Sequence, residues 1–135
     1  MGAWGHGFFE DDTACDFAEE IEESKKVKQL FHNSFEEATN AEYLEYDQCH
    51  AVIISAVYLD ALINRTEYEA PDEESFNSFL AANKKLVLDD LKENAVGALQ
   101  RVLNDNSELN ELWAENAELY SKWRQNILDL IQRLT

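Results

Sequence analysis

The feature that most constrains this chain is the stretch from residue 41 to residue 64, which is apolar on nearly every side of a helix. Between Ala51 and Leu59 only Ser55 interrupts the apolar run. A helix that is apolar all round is normally buried on several faces. A buried strand is the alternative, but strands average about five or six residues and no turn signal divides the stretch. We therefore predict a long central helix over about 41–64.

The rest of the chain favours an all-α fold. Its 135 residues are close to the commonest domain size, and a hydrophobic content of 45% is sufficient for a core. One proline and four glycines are few for a strand-rich fold with many turns. We expect a single helical domain over residues 1–135, built as a bundle of about six helices. An irregular N-terminal segment should pack the aromatic rings of Trp4, Phe8 and Phe9 onto the core.

Local signals indicate where the first helices begin. Asp11, Asp12 or Thr13 is suited to cap the first helix, because short polar side chains accept hydrogen bonds from free amides at a helix start. Residues 64–72 form the only plausible linker, which we interpret as a surface loop within one domain. Asp72 is well placed to cap the short helix that follows this loop.

The C-terminal part of the chain is strongly amphipathic. Residues 104–107 can cap a last segment whose apolar phase continues to the C-terminus, which favours one long helix over 107–134. Asn116 is the residue out of phase, so a kink is expected there, and two helices are the alternative. Gly97 lies inside the preceding helix at a cost of up to about 1 kcal/mol, which suggests that another helix approaches closely there.

The charge is strongly negative and unevenly distributed. The chain has 28 acidic and 11 basic residues, a net charge of −17, and residues 1–74 carry −15 of it. Such a field repels nucleic acid and anionic membranes, and it accelerates encounter with a basic protein. The simpler alternative is that the acids only keep the protein soluble. We predict a basic protein partner, no nucleic acid and no membrane, while the oligomeric state stays open.

Targeting signals are not evident in the sequence. The N-terminal residues have neither the basic nor the apolar region of a secretory signal, and no run approaches the ~20 apolar residues of a membrane span. A cytoplasmic protein is therefore expected. In that compartment Cys15 and Cys49 should be reduced.

A metal site is the first chemistry to consider. Asp47 and His50 stand three residues apart on the predicted central helix, with Glu42 and Glu45 about a turn away. Carboxylate-bridged di-iron bundles need a Glu-x-x-His pair on each of two helices. This chain has one such pair, with Asp in place of Glu, so we predict no metal or other cofactor. His50 is expected to be a partly buried polar residue.

Nucleophilic and phosphate chemistry are no better supported. Cys49 and His50 are neighbours that point about 100° apart on a helix, and Cys15 is surrounded by acids that raise a thiol pKa. The N-terminal glycines precede a helix as in phosphate-binding loops, but no strand precedes them and residues 10–12 would repel a phosphate. We predict no catalytic residue and no enzymatic activity. A carboxylate site hidden among the many acids is the alternative.

One resemblance covers almost the whole chain. The N-terminal residues 1–17 read MGAWGHGFFEDDTACDF, and looser matches follow at 43–47 and 106–113. This pattern resembles the opening MGAWGxGxF[ED][ND]DxAxD[FW] of a bacterial domain-of-unknown-function family, DUF family 4259. The resemblance implies a small bacterial helical domain, and it brings no established activity, substrate or cofactor. Where relatives carry Ala-Ala-Glu, this chain has Ser55-Ala56-Val57.

The absence of a catalytic motif and the concentrated acidity together favour a protein-interaction module, such as an immunity or antitoxin-type partner of a basic toxin. A structural or regulatory module that self-associates through Tyr120 and Trp123 is the alternative. The predicted partner-binding acidic face consists of Asp11, Asp12, Glu19, Glu20, Glu23, Glu36, Glu37, Glu42 and Glu45.

Overall fold

The computed structural model describes residues 5–135, and within them it contains seven α-helices and one short 3-10 helix. In chain order the helices are α1 (Asp12–Glu23), α2 (Val27–Asn40), α3 (Tyr46–Asn64), α4 (Glu73–Ala82), α5 (Lys92–Val102), α6 (Glu108–Ala114) and α7 (Ala117–Leu134), with the 3-10 helix Asp89–Leu91 leading into α5. The described part of the chain has no β-sheet, so the predicted all-α class is confirmed. Within residues 5–135, no helix combines the length and the hydrophobicity needed to cross a membrane.

α3 is buried on all sides, as expected for a helix that lacks a polar face. Every residue from Val52 to Ala61 is buried, and the helix packs against α1, α2, α5, α6 and α7. Its predicted start at residue 41 is wrong. Leu44 instead forms an isolated parallel bridge with Ser107, donating its amide to Asn106 at 2.8 Å. Leu44 and Glu45, directly before Tyr46, are therefore extended, and α3 has 19 residues.

The predicted caps of α1, α4 and the last segment are confirmed. Asp11 accepts from the Ala14 amide at 3.1 Å, and Asp72 accepts from the Ser75 amide at 3.0 Å. Ser107 accepts from the amide three residues on and begins α6. These side chains satisfy amide groups that have no partner inside their own helix.

The expectation of one long C-terminal helix is wrong. α6 ends at Ala114, and Asn116 caps α7 by accepting from the Leu119 amide at 3.1 Å. An asparagine side chain competes with the helical backbone for hydrogen bonds, which favours a new helix start over a kink. The apolar phase nevertheless continues across the break, since Trp113 and Trp123 both lie in the core.

The N-terminal segment is irregular from Gly5 to Glu10, and Phe9 is buried while Phe8 is half-buried. The Phe9 ring packs edge-on against the rings of Tyr58 and Phe76. Trp4, whose ring was also expected to pack onto the core, lies outside the described residues. Phe9 thus holds this segment against α3 and α4, and Phe8 packs beside Tyr68 in the loop between these helices.

A buried ion pair joins the ends of α3 and α7. Asp60 is fully buried, and its carboxylate accepts from Arg133 Nε at 2.8 Å, from the Asn64 side chain at 2.7 Å and from the Tyr68 hydroxyl. Burial raises the pKa of Asp60, but the hydrogen bonds from Tyr68, Asn64 and Arg133 outweigh it and lower the pKa. The carboxylate therefore stays ionised and fixes the loop after α3 against the C-terminus.

We predict that Gly97→Ala stabilises the protein by about 0.5–1 kcal/mol, because alanine orders the helix at a lower entropic cost than glycine. A Cβ at this position meets no atom within 4 Å, so the close helix approach expected there is wrong. Urea unfolding measures the change, with Ala98→Gly as a destabilising control. A loss of stability in Gly97→Ala would contradict an open environment at this position.

Asp60→Asn should lower the free energy of unfolding at neutral pH by about 2 kcal/mol. The effect is smaller than for a fully buried ion pair, because the Arg133 side chain is partly exposed. Since the folded pKa of Asp60 is lowered, its contribution is complete above the unfolded value of about 3.9 and is lost as pH falls through the folded pKa. The variant should therefore lose less stability than the wild type on acidification below about pH 4.

Urea unfolding at several pH values tests this difference, and Asp105→Asn, which replaces an exposed carboxylate, is the control. Parallel pH curves for wild type and Asp60→Asn would show that the carboxylate does not contribute in this way.

Candidate functional site

Eight of the nine residues predicted to form an acidic face are exposed. These residues belong to α1, α2 and the extended segment before α3, and they are Asp12, Glu19, Glu20, Glu23, Glu36, Glu37, Glu42 and Glu45. We call these eight residues the acidic surface. Within residues 5–135, none of the eight carboxylates lies within 4.0 Å of a lysine or arginine nitrogen. Glu36 Oε1 lies 3.9 Å from the imidazole Nε2 of His32. Their negative charge is therefore not neutralised by the protein itself.

The prediction is wrong for Asp11, the ninth residue, because only 2% of its surface is exposed. Its carboxylate caps α1, accepts a hydrogen bond from the Tyr46 hydroxyl, and lies 3.4 Å from His50 Nε2. Both carboxylate oxygens are thus used inside the fold, and no partner can reach them. Sequence reasoning identified the capping role but not the burial, since Tyr46 and His50 belong to a different helix.

The environment of Asp11 favours its ionised form. Burial raises the pKa of Asp11, but the nearby His50 imidazole and the hydrogen bonds from Tyr46 and the Ala14 amide outweigh burial and hold the pKa well below its usual range. The carboxylate therefore stays charged beneath the N-terminal segment, where it anchors the start of α1 to α3.

His50 is the second buried polar residue at this position, with 5% of its surface exposed. Neither ring nitrogen has a hydrogen-bond partner of acceptable geometry, and the ring packs edge-on against Tyr46 at 4.8 Å. The ring borders a small cavity of about 10 Å³ that is also lined by Phe8, Trp113 and Trp123. His50 is thus more deeply buried than the partly buried residue that the sequence predicted.

The candidate metal ligands are not brought together. Asp47, Glu42 and Glu45 are exposed, whereas His50 is buried against Asp11. Among residues 5–135 no three His, Cys, Asp or Glu side chains form a group that could hold a metal ion. The spacing of Asp47 and His50 therefore reflects one exposed and one buried position on α3.

The two cysteines are in environments that disfavour thiolate chemistry. Cys49 is buried and lies 3.3 Å from the Ser107 hydroxyl, while Cys15 is half-buried and donates to the Phe9 carbonyl at 3.2 Å. Burial raises the pKa of both thiols, and the carboxylates of Asp11 and its neighbours raise the pKa of Cys15 further. The thiol form is therefore favoured at both positions.

A groove of about 210 Å³ lies within the acidic part of the molecule. Phe17 of α1, Glu37 of α2 and Ala51 of α3 line it, together with Asp47. Gln48 donates to the Glu37 carboxylate at 2.9 Å, which joins α3 to α2 at this position. The lining of this groove thus combines an aromatic ring and the Ala51 methyl group with two carboxylates. Such a lining favours binding of a cationic side chain.

A larger groove, of about 560 Å³, lies elsewhere and was not predicted from the sequence. It is formed by the end of α3, the following loop and α4, with Leu62 and Phe76 among its apolar lining and Arg65 and Lys84 among its cations. Arg65 is in the left-handed region, with a φ of 57°, where it ends α3. The lining lies within residues 61–84, but the groove forms only where the loop and α4 fold back beside the end of α3, and no motif in the sequence marks that arrangement.

Of the two aromatic residues proposed for self-association, Trp123 is buried and Tyr120 is only partly exposed. Trp123 is 4% exposed and stacks against Trp113, with ring centroids 6.0 Å apart. Tyr120 is half-buried, and its hydroxyl donates to Asn110 at 2.7 Å. An amphipathic pattern cannot distinguish a ring that faces the core from one that faces a partner; here Trp123 belongs to the core and Tyr120 packs against it.

The fold and the site define a class: an all-α protein with a surface of exposed carboxylates that have no lysine or arginine partner in the described part of the chain. Within that class the family is shown by comparison of sequences. The chain belongs to the family described as Domain of unknown function (DUF4259), whose model matches residues 2–126. Neither the curated proteins nor the solved structures include a match to this chain.

We predict that Tyr46→Phe destabilises the protein by about 1–3 kcal/mol, because it removes a hydroxyl that donates to the buried Asp11 carboxylate. The matched control is Tyr43→Phe, which removes a hydroxyl that donates to Glu111 at an exposed position. That change should stay within about 0.5 kcal/mol. Urea unfolding compares the two variants, and equal effects would mean that the buried hydrogen bond contributes no more than the exposed one.

Proposed function

We propose that this protein is an interaction module that binds a basic protein through the acidic surface, as an immunity or antitoxin-type partner does. The observation that carries the proposal is that the eight carboxylates of the acidic surface are exposed and have no lysine or arginine partner among residues 5–135. A cytoplasmic location and a single domain over residues 1–135 are part of the same proposal.

The electrostatics support rapid capture of a basic partner. Unpaired surface charges of one sign steer an oppositely charged protein during diffusional encounter, and they raise the association rate more than they raise the final affinity. Carboxylates already paired with lysine or arginine would contribute little to such a field. The arrangement in α1 and α2 is therefore more useful for recognition than the same number of acids dispersed among cations.

The groove lined by Phe17, Glu37 and Asp47 would add short-range contacts with the partner to the long-range electrostatic attraction. An arginine or lysine of the partner could place its apolar stem against Ala51 and its charged end between the two carboxylates. Partly desolvated contacts of this kind contribute more to affinity than exposed charge pairs at the rim of an interface.

The first experiment is co-expression with the product of the adjacent gene. If that product is toxic, this protein should restore growth and the two should co-purify. If the product is toxic but this protein neither restores growth nor binds it, the product is not the partner. If this protein binds no basic protein encoded nearby, the proposed function is refuted.

For a complex obtained in this way, the triple variant Glu19→Gln, Glu20→Gln and Glu23→Gln should lower the association rate constant by roughly tenfold at low salt, with a smaller effect at high salt. The control is Glu93→Gln, Glu115→Gln and Glu118→Gln, which removes the same charge from exposed positions on or beside α5, α6 and α7. Stopped-flow fluorescence measures the rates. Equal effects would mean that total charge matters and that the acidic surface is not the binding site.

A further inference from the structure

A second groove has the opposite charge character. It lies where the turn between α1 and α2 meets the connection between α4 and α5, and its volume is about 400 Å³. Lys28 joins the two segments, since its ammonium donates to the Val87 carbonyl at 2.9 Å and pairs with Asp90 at 3.1 Å. We call it the lysine groove, and its lining includes Lys25, Lys26, Lys28, His32, Leu86 and Asp90.

The lysine groove concentrates the few cations of the N-terminal part of the chain. Lys25, Lys26 and Lys28 are the only lysines or arginines in residues 1–50, and all three line it. Lys25 and Lys26 are exposed and form no ion pair within residues 5–135. Asp90, the one carboxylate among the lining residues, is already paired with Lys28. Two positive charges are therefore free for an anionic ligand.

The start of α2 adds a second feature that favours an anion. α1, α4, α6 and α7 each begin with a side chain that accepts a hydrogen bond from a backbone amide, whereas no side chain caps α2 at Lys26. Val27 and Gln29, in the first turn of α2, line the lysine groove, and this turn contains no acidic residue. A helix start with free amides carries a partial positive charge and binds carboxylates well.

Exposed apolar side chains lie beside these charges. Val87 is 72% exposed and Leu86 is 39% exposed, which makes them two of the four large apolar side chains exposed among residues 5–135. These neighbouring side chains add an apolar surface beside the groove, which a protein ligand could cover. A ligand that satisfied only the lysines would leave this apolar surface uncovered.

We propose that the lysine groove binds an acidic segment of a partner protein. Carboxylates of the segment contact Lys25, Lys26 and the free amides of α2, and an apolar side chain of the segment covers Val87 and Leu86. A nucleic acid or an anionic membrane fits less well, because an extended polyanion also meets the field of a chain with a net charge of −17. A short segment contacts the groove alone.

The test uses a fluorescein-labelled synthetic peptide that repeats Glu-Glu-Leu, with binding followed by fluorescence anisotropy. The wild type should bind it saturably, and Lys25→Ala with Lys26→Ala should weaken binding on the order of tenfold. Val87→Ser should weaken it severalfold. Lys122→Ala with Leu128→Ser is the matched control, since it removes an exposed lysine and an exposed apolar side chain on α7, and it should change affinity less than about twofold.

Circular dichroism and thermal unfolding establish that each variant is folded, and amide chemical-shift changes on peptide binding should be confined to residues 25–32 and 86–91. Lack of saturable binding by the wild type would overturn the proposal, and so would equal weakening in the control variant. Tighter binding of a single-stranded oligonucleotide or of phosphatidylserine vesicles would also overturn it. Because the acidic surface is unchanged in these variants, the result is independent of the function proposed above.

Discussion

The structure depends on the burial of α3 on every side. A helix without a polar face must be covered by several neighbours, and α1, α2, α5, α6 and α7 supply that cover. Burial also encloses polar groups that belong to α3, and two of them form hydrogen bonds with residues of other helices. Asp60 meets Arg133 of α7, and the Tyr58 hydroxyl donates to Glu22 of α1. These contacts give the apolar packing a single arrangement.

The same constraint accounts for the surface. Because α3 takes up so much apolar area from its neighbours, α1 and α2 present their remaining faces to water, and those faces carry the acids of the N-terminal half. The lysines of that half are confined to the turn between the two helices and to the start of α2. Two surfaces of opposite charge therefore lie on adjacent parts of one helical pair.

The site could be predicted from the sequence only in part. Exposure of Glu19, Glu20 and Glu23 follows from the period of α1, since the apolar positions Ala14, Ala18 and Ile21 define the opposite face. The burial of Asp11 does not follow from that period, because the residue precedes the helix and its partners Tyr46 and His50 come from α3. For the same reason the lysine groove, which combines residues 25–32 with residues 86–91, has no local signature in the sequence.

What the sequence determined by itself is local: the helical class, the apolar character of α3, the cap at Asp72, and a short set of candidate caps that includes Asp11 and Ser107. Helical periodicity and capping depend on residues three or four positions apart, so they can be recognised without knowing the rest of the fold. Only the tertiary structure decided that α3 begins at Tyr46, because the preceding residues pair with a segment 62 or more positions away. It also decided which charges are buried, since burial and ion pairing are properties of neighbours in space and not in sequence.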